Sequence, residues 1–225
     1  MFGEVWKGCI MKQLMDILKK YFPLEEQSAG EFANIKVKGM KFTIKKFYAK
    51  GLGNVSTMEA VGFFGLMKMD TLVINPVECD MPLFSYDRIH AMGNDTLILE
   101  LYDTMLESCD MSGVKTVKAN YAYLPEHDPG EHWYDNIKLK ESISKKGKKK
   151  ETPAYDKLEA DYLDAFLNAA KAAKACDAAA KREKASVYVE GLLENGGPAA
   201  TIFIENYGKE KTAWFFRKVL FGTQE

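Results

Sequence analysis

The chain has 225 residues, long enough for a single domain with a substantial core, and its 47% apolar and 28% charged residues are those of an ordinary globular protein. A formal net charge of -1 gives no reason to expect a nucleic acid or a membrane surface as partner. No apolar run approaches the roughly 18 residues that a membrane span needs.

The opening MFGEVWKGCIMKQ places an acid and a lysine where a signal peptide needs unbroken apolar sequence. Cys9, Cys79, Cys109 and Cys176 are widely spaced, with neither zinc-ligand nor disulfide-framework spacing, so a reduced, cytoplasmic protein is expected. Met11, Leu14, Met15, Ile17, Leu18, Tyr21 and Phe22 recur with helical spacing and stop at Pro23, which predicts an amphipathic helix. Strand-like runs follow at 35–37, 41–50, 57–64 and 66–74, the second of them basic at its polar positions.

Residues 69–104 are the most informative stretch. Runs at 71–74, 83–89 and 96–102 read as strands. Leu97, Leu99 and Leu101 alternate with Ile98, Glu100 and Tyr102, the period of a strand with two different faces. Gly93-Asn94-Asp95 favours a tight hairpin between the last two. Asp70, Asp87, Glu100 and Asp103 lie within this meander, with Arg88 and His90 close by. A carboxylate embedded in a strand needs water, a partner or a ligand, so chemistry is sought here. Regular pleating sends Asp70 and Thr71 to opposite faces, and at most one of them enters a given pocket. Residues 116–123 read as the last strand.

Residues 124–152 contain Pro125, Pro129 and Gly130 and a lysine run from Lys145 to Lys150, and read as a surface loop. His127 and His132 fall in it, at a spacing that does not make a metal site without a helix beneath it. The lysine run, with Lys45 and Lys46, suits either a solvated surface or the docking of an acidic electron donor. Helices are predicted over 155–175, 181–193, 198–207 and 209–221, the second stopped by Asn195-Gly196-Gly197. Trp214, Phe215 and Phe216 are expected to pack the last helix on the sheet. One helix, then strands, then helices make a single α+β domain over 1–225 with helices on the faces of an antiparallel sheet.

In that order a resemblance is visible. Residues 81–87, MPLFSYD, preceded by Asn75-Pro76 and followed by a strand, resemble the central motif of the ferredoxin-dependent bilin reductases. There a strand ending in proline leads to an acid, a (L/M)P(I/L)F segment and a pocket aspartate. Tyr162-Leu163 and the closing WFFRKVLF at 214–221 resemble the family's late helices, and the likeness covers 57–104 and 161–221. Red chlorophyll catabolite reductases share that fold.

The resemblance implies a three-layer α/β/α sandwich with a linear tetrapyrrole such as biliverdin between the sheet and the C-terminal helices. It implies no metal and no tightly bound cofactor: ferredoxin or flavodoxin supplies single electrons and the protein supplies protons. Asp87 matches the pocket aspartate, and Glu59 falls where vinyl-reducing members carry a glutamate. A histidine of some members falls at Thr71, with Asp70 beside it, so the chain departs from the pattern there. Asp177 is the nearest acid between the late helices, and Phe84, Tyr86, Arg88 and Phe216 complete the expected ligand contacts. Asp87 itself reads two ways, as a general acid raised by burial or as an ionised partner of pyrrole N–H groups. The alternative is a tetrapyrrole-binding protein of the same fold without catalysis.

Overall fold

In the computed structural model, which describes residues 9–224, the first helix, α1 (Cys9–Tyr21), is amphipathic and ends before Pro23. Residues 1–8 of the stretch read above for a leader lie outside the described residues. Eight strands follow the alternating runs: β1 (Leu24–Gln27), β2 (Asn34–Val37), β3 (Met40–Ala49), β4 (Gly53–Gly62), β5 (Met67–Pro76), β6 (Leu83–Ala91), β7 (Asn94–Tyr102) and β8 (Ile143–Lys148). They form one antiparallel sheet in the order β1-β3-β4-β5-β6-β7-β8, and β2 pairs with the first half of the β3 edge whose second half takes β1. The β6–β7 hairpin turns through Met92 and Gly93, both at positive φ (51° and 74°), the paired left-handed conformation that matches strand twist.

Helices cover both faces. Leu72, Tyr86 and Leu99 pack with Leu14 and Leu18 of α1 and with Tyr162 and Phe166 of α3 (Thr152–Ala172). On the opposite face Ile44, Met58 and Val73 pack with Val189 of α4 (Ala178–Asn195), Phe203 of α5 (Pro198–Trp214) and Phe216 of a closing π-helical turn (Phe215–Leu220). The result is the expected three-layer α/β/α sandwich. Among the described residues no helix is long and apolar enough to cross a membrane.

Two segments differ from the reading of the sequence. Residues 116–123 are not a strand: Ser112–Asn120 form α2, whose Val114 is buried and whose Val117 packs the same core one turn on. The β-branched Thr116 and Val117 masked a helical period. Residues 143–148 leave the surface loop to pair with β7 as β8, and within the lysine run Lys145 is buried, its Nζ donating to the Leu124 carbonyl at 3.0 Å. Its composition hid an alternation that only Ile143 and Lys145 carry inward. The stretch α5 is broken at Gly208 (φ 79°, ψ 167°), so the two closing helices meet where the sequence placed them.

Candidate functional site

Alternation along β6 decides which residues share a surface. Phe84, Tyr86 and Arg88 face α3, whereas Ser85, Asp87 and Ile89 face the C-terminal helices. On the α3 side Arg88 is completely buried. Its guanidinium donates to Asp95 at 2.6 and 2.8 Å, to Glu159 at 3.0 Å and to Asp156 at 3.2 Å, and it lies 5.1 Å from the Tyr155 ring centroid. Tyr86 donates to the same Glu159 at 3.1 Å. The cluster fastens the β6–β7 hairpin to the start of α3: Arg88 meets all three carboxylates, while burial pushes Glu159 up to about 8.

Cross-strand register extends this row. Arg88 stands beside Asp70, and Asp70 beside Glu59, all on the α3 face. Burial, and then the neighbouring Glu59, push the half-buried Asp70 up to about 6. The expected set therefore divides. Glu59, Asp70, Phe84, Tyr86 and Arg88 are on one side of the sheet and Asp87 is on the other, because neighbours along a pleated strand point oppositely. A ligand lying under the C-terminal helices touches none of those five side chains. Across the strand from Thr71, on the Asp87 face, β4 presents Met58 rather than Glu59.

The Asp87 face has a distinct gradient of cover. Val73, Leu83 and Tyr102 are buried beneath α4 and the closing turn, whereas Met69, Ser85, Asp87, Ile89, Ile98 and Glu100 are only half-buried. This half-covered strip over β5, β6 and β7, which runs toward the β4–β5 and β6–β7 hairpins, is the candidate slot. At its floor Thr71 Oγ1 donates to Asp87 Oδ1 at 2.5 Å. Burial pushes the Asp87 carboxyl up to about 7, the Thr71 hydrogen bond works against this, and the charge of Glu100 adds to it. Glu100 accepts from the Tyr102 hydroxyl at 2.5 Å and stands 3.8 Å from Lys138 Nζ.

One wall is aromatic. Tyr188 of α4 stacks on Tyr102 with centroids 4.0 Å apart, Tyr134 meets Tyr102 edge-on at 5.4 Å, and Trp133 stacks on Tyr188 at 5.8 Å. Trp133 lies so close over Gly191 that a Cβ there would fall 2.3 Å from the indole, so glycine lets the 133–134 segment close on α4. That segment belongs to the stretch read as a surface loop; nothing in its composition marks it as a wall. Glu100 was visible as a strand carboxylate, but its pairing with Tyr102 and its place beside Asp87 needed the register.

The remaining expected residues lie elsewhere. Phe216 is buried among Phe203, Phe215 and Phe221, within the packed part of the roof. Asp177 is exposed and caps α4, accepting from the Ala180 amide at 2.7 Å, so its role is local. His90 is on the α3 face, 3.4 Å from Asp95. Lys45 and the lysines of β8 are on strands near opposite edges of the sheet, about 24 Å apart at ordinary strand spacing, and form no single patch.

No known protein family matches the chain by its sequence profile, and no curated protein matches it. Among solved structures it is similar to SeMet-phytochromobilin synthase from tomato, crystallised in complex with biliverdin. The TM-score is 0.76 at 12% identity, over 95% of this chain and 82% of that one. At that identity the likeness is one of fold: the chain carries the three-layer architecture of that synthase.

Proposed function

We propose that the slot binds a linear tetrapyrrole and that the chain reduces one of its double bonds, using single electrons from ferredoxin or flavodoxin. The observation that carries the reading is Asp87, an acid raised to about 7 on the floor of a half-covered slot with one aromatic wall. A general acid works best with a pKa near the operating pH. A tetrapyrrole that has accepted an electron is more basic than before, and a protonated Asp87 in contact with it supplies a proton. Two electrons from the donor and two protons complete the reduction of one double bond. Once ionised, Asp87 keeps the Thr71 hydroxyl and accepts hydrogen bonds from pyrrole N–H groups. Glu100 beside it supplies a second carboxylate, and Met69, Ile89 and Ile98 offer apolar floor to a flat conjugated ligand. The fold shared with a biliverdin-bound synthase supports the ligand class.

A second reading, binding without reduction, draws on Met58 and Thr71, since the two positions that flank Asp87 on β4 and β5 carry no titrating group. Biliverdin mixed anaerobically with the protein and reduced ferredoxin separates the two. Loss of the long-wavelength absorption with formation of a reduced bilin is the expected result. A bound but unchanged chromophore establishes the second reading, and no spectral perturbation on mixing removes both.

A further inference from the structure

One end of the sheet carries side chains that the fold does not use. At the β4–β5 tip Phe63 is 62% exposed, Phe64 fully exposed and Leu66 75% exposed; at the β6–β7 tip Met92 is 94% exposed. Phe63, Phe64 and Met92 have positive φ (50°, 56° and 51°), a conformation in which a large side chain is strained and glycine or asparagine is at ease. The chain thus holds apolar side chains in water, on unfavourable backbone, where they contribute almost nothing to packing. Antiparallel pairing brings both tips to the same end, about 10 Å apart. The β2–β3 turn joins them, since Met40 lies over Gly62.

Lysines surround these tips. Residues 36–41, 61–68, 91–94 and 146–150 contribute Lys36, Lys38, Lys41, Lys68 and the end of the β8 run, and contain no Asp or Glu. Glu205 and Glu151, from outside the tips, pair with Lys38 and Lys150. The near-neutral total charge conceals this concentration; the nearest strand acids, Glu59, Asp70 and Asp95, are half-buried or buried on the α3 face.

We propose that this end of the sheet docks on a bilayer containing anionic lipid, with Phe63, Phe64, Leu66 and Met92 entering the boundary between headgroups and acyl chains and the lysines meeting the headgroup charge. A protein partner would need a socket for each separate prong. A fluid bilayer accepts prongs without matching shape and rewards the combination of apolar tips and a basic fringe.

The test is sedimentation of the full chain with phosphatidylcholine vesicles, with and without phosphatidylserine. Sedimentation with the anionic vesicles that weakens as salt rises is expected. The double variant Phe64→Ser, Met92→Ser should lower partition about tenfold or more with its thermal melt unchanged, since both side chains are outside the core. A chain that stays in the supernatant with both vesicle types, or a double variant that sediments like the parent, overturns the proposal. A single variant, Phe64→Trp, adds a direct readout: its emission should shift to the blue on adding anionic vesicles. A blue shift with an acidic protein such as ferredoxin, and none with vesicles, would assign this end to a protein partner instead.

Discussion

On the α3 side of β6, Arg88 meets three carboxylates and a tyrosine ring and is sealed from water. On the other side Asp87, one residue earlier, has a threonine hydroxyl and a slot that solvent reaches. Both side chains are charged types on the same strand. The Arg88 cluster spends its electrostatic free energy inside the fold, holding a hairpin to a helix. Asp87 is left short of partners, and its preference for the protonated state is free energy still available to a ligand.

The widest test of that contrast is Arg88→Met, which leaves Asp95 and Glu159 buried without their cation. A loss of about 3–5 kcal/mol in urea unfolding is expected. A loss below about 1 kcal/mol would mean that the cluster is not the fastening described. Next comes Asp87→Asn, which should slow bilin reduction by about 100-fold or more while the bound-bilin spectrum remains. Comparable rates in the two proteins would take the proton-donor role away from Asp87.

The same variant has a stability signature of the opposite sign. Because the folded pKa of Asp87 is raised from 3.8 to about 7, the unfolded chain ionises at lower pH than the folded one. This residue's contribution to stability therefore falls as pH rises between those two values and levels off above the higher one. Asp87→Asn should unfold at higher urea at about pH 8, by up to about 4 kcal/mol, and show no gain at about pH 4. Equal midpoints at both pH values would show that Asp87 is not raised. The smallest effect is that of Glu100→Gln. Removing the neighbouring charge should lower the Asp87 pKa by less than about one unit, moving the alkaline limb of the pH–rate profile, where the protonated acid is lost, the same way. An unmoved profile would separate the two carboxylates.

Much of the architecture was legible in the chain, and the reasons are local. Pro23 stops α1, the alternation from Leu97 to Leu101 is a strand period, and Asn195-Gly196-Gly197 ends α4. Asp87 could be singled out because a strand carboxylate has to be answered by something. Its companions could not. Which face Glu59 joins depends on a register of one residue between β4 and β5, and a slip of one exchanges the two faces. Tyr134 and Trp133 wall the slot from a segment without periodicity, held there by contact with Tyr188 and the space over Gly191. Val114 and Val117 form a helix in which packing outweighed β-branched propensity.

The lysine-rich strand at the sheet's margin has a consequence for self-association. An outermost strand is a template onto which another copy can hydrogen-bond. Beyond β8 the positions are already taken: the Lys146 amide donates to the Pro125 carbonyl at 3.3 Å and the His127 amide to the Ser144 carbonyl at 3.0 Å. The segment that takes them carries Pro125 and Pro129, which have no amide hydrogen to pass on. Fibril growth by strand addition is thus blocked along this border, first by occupancy and then by lysine repulsion between stacked copies.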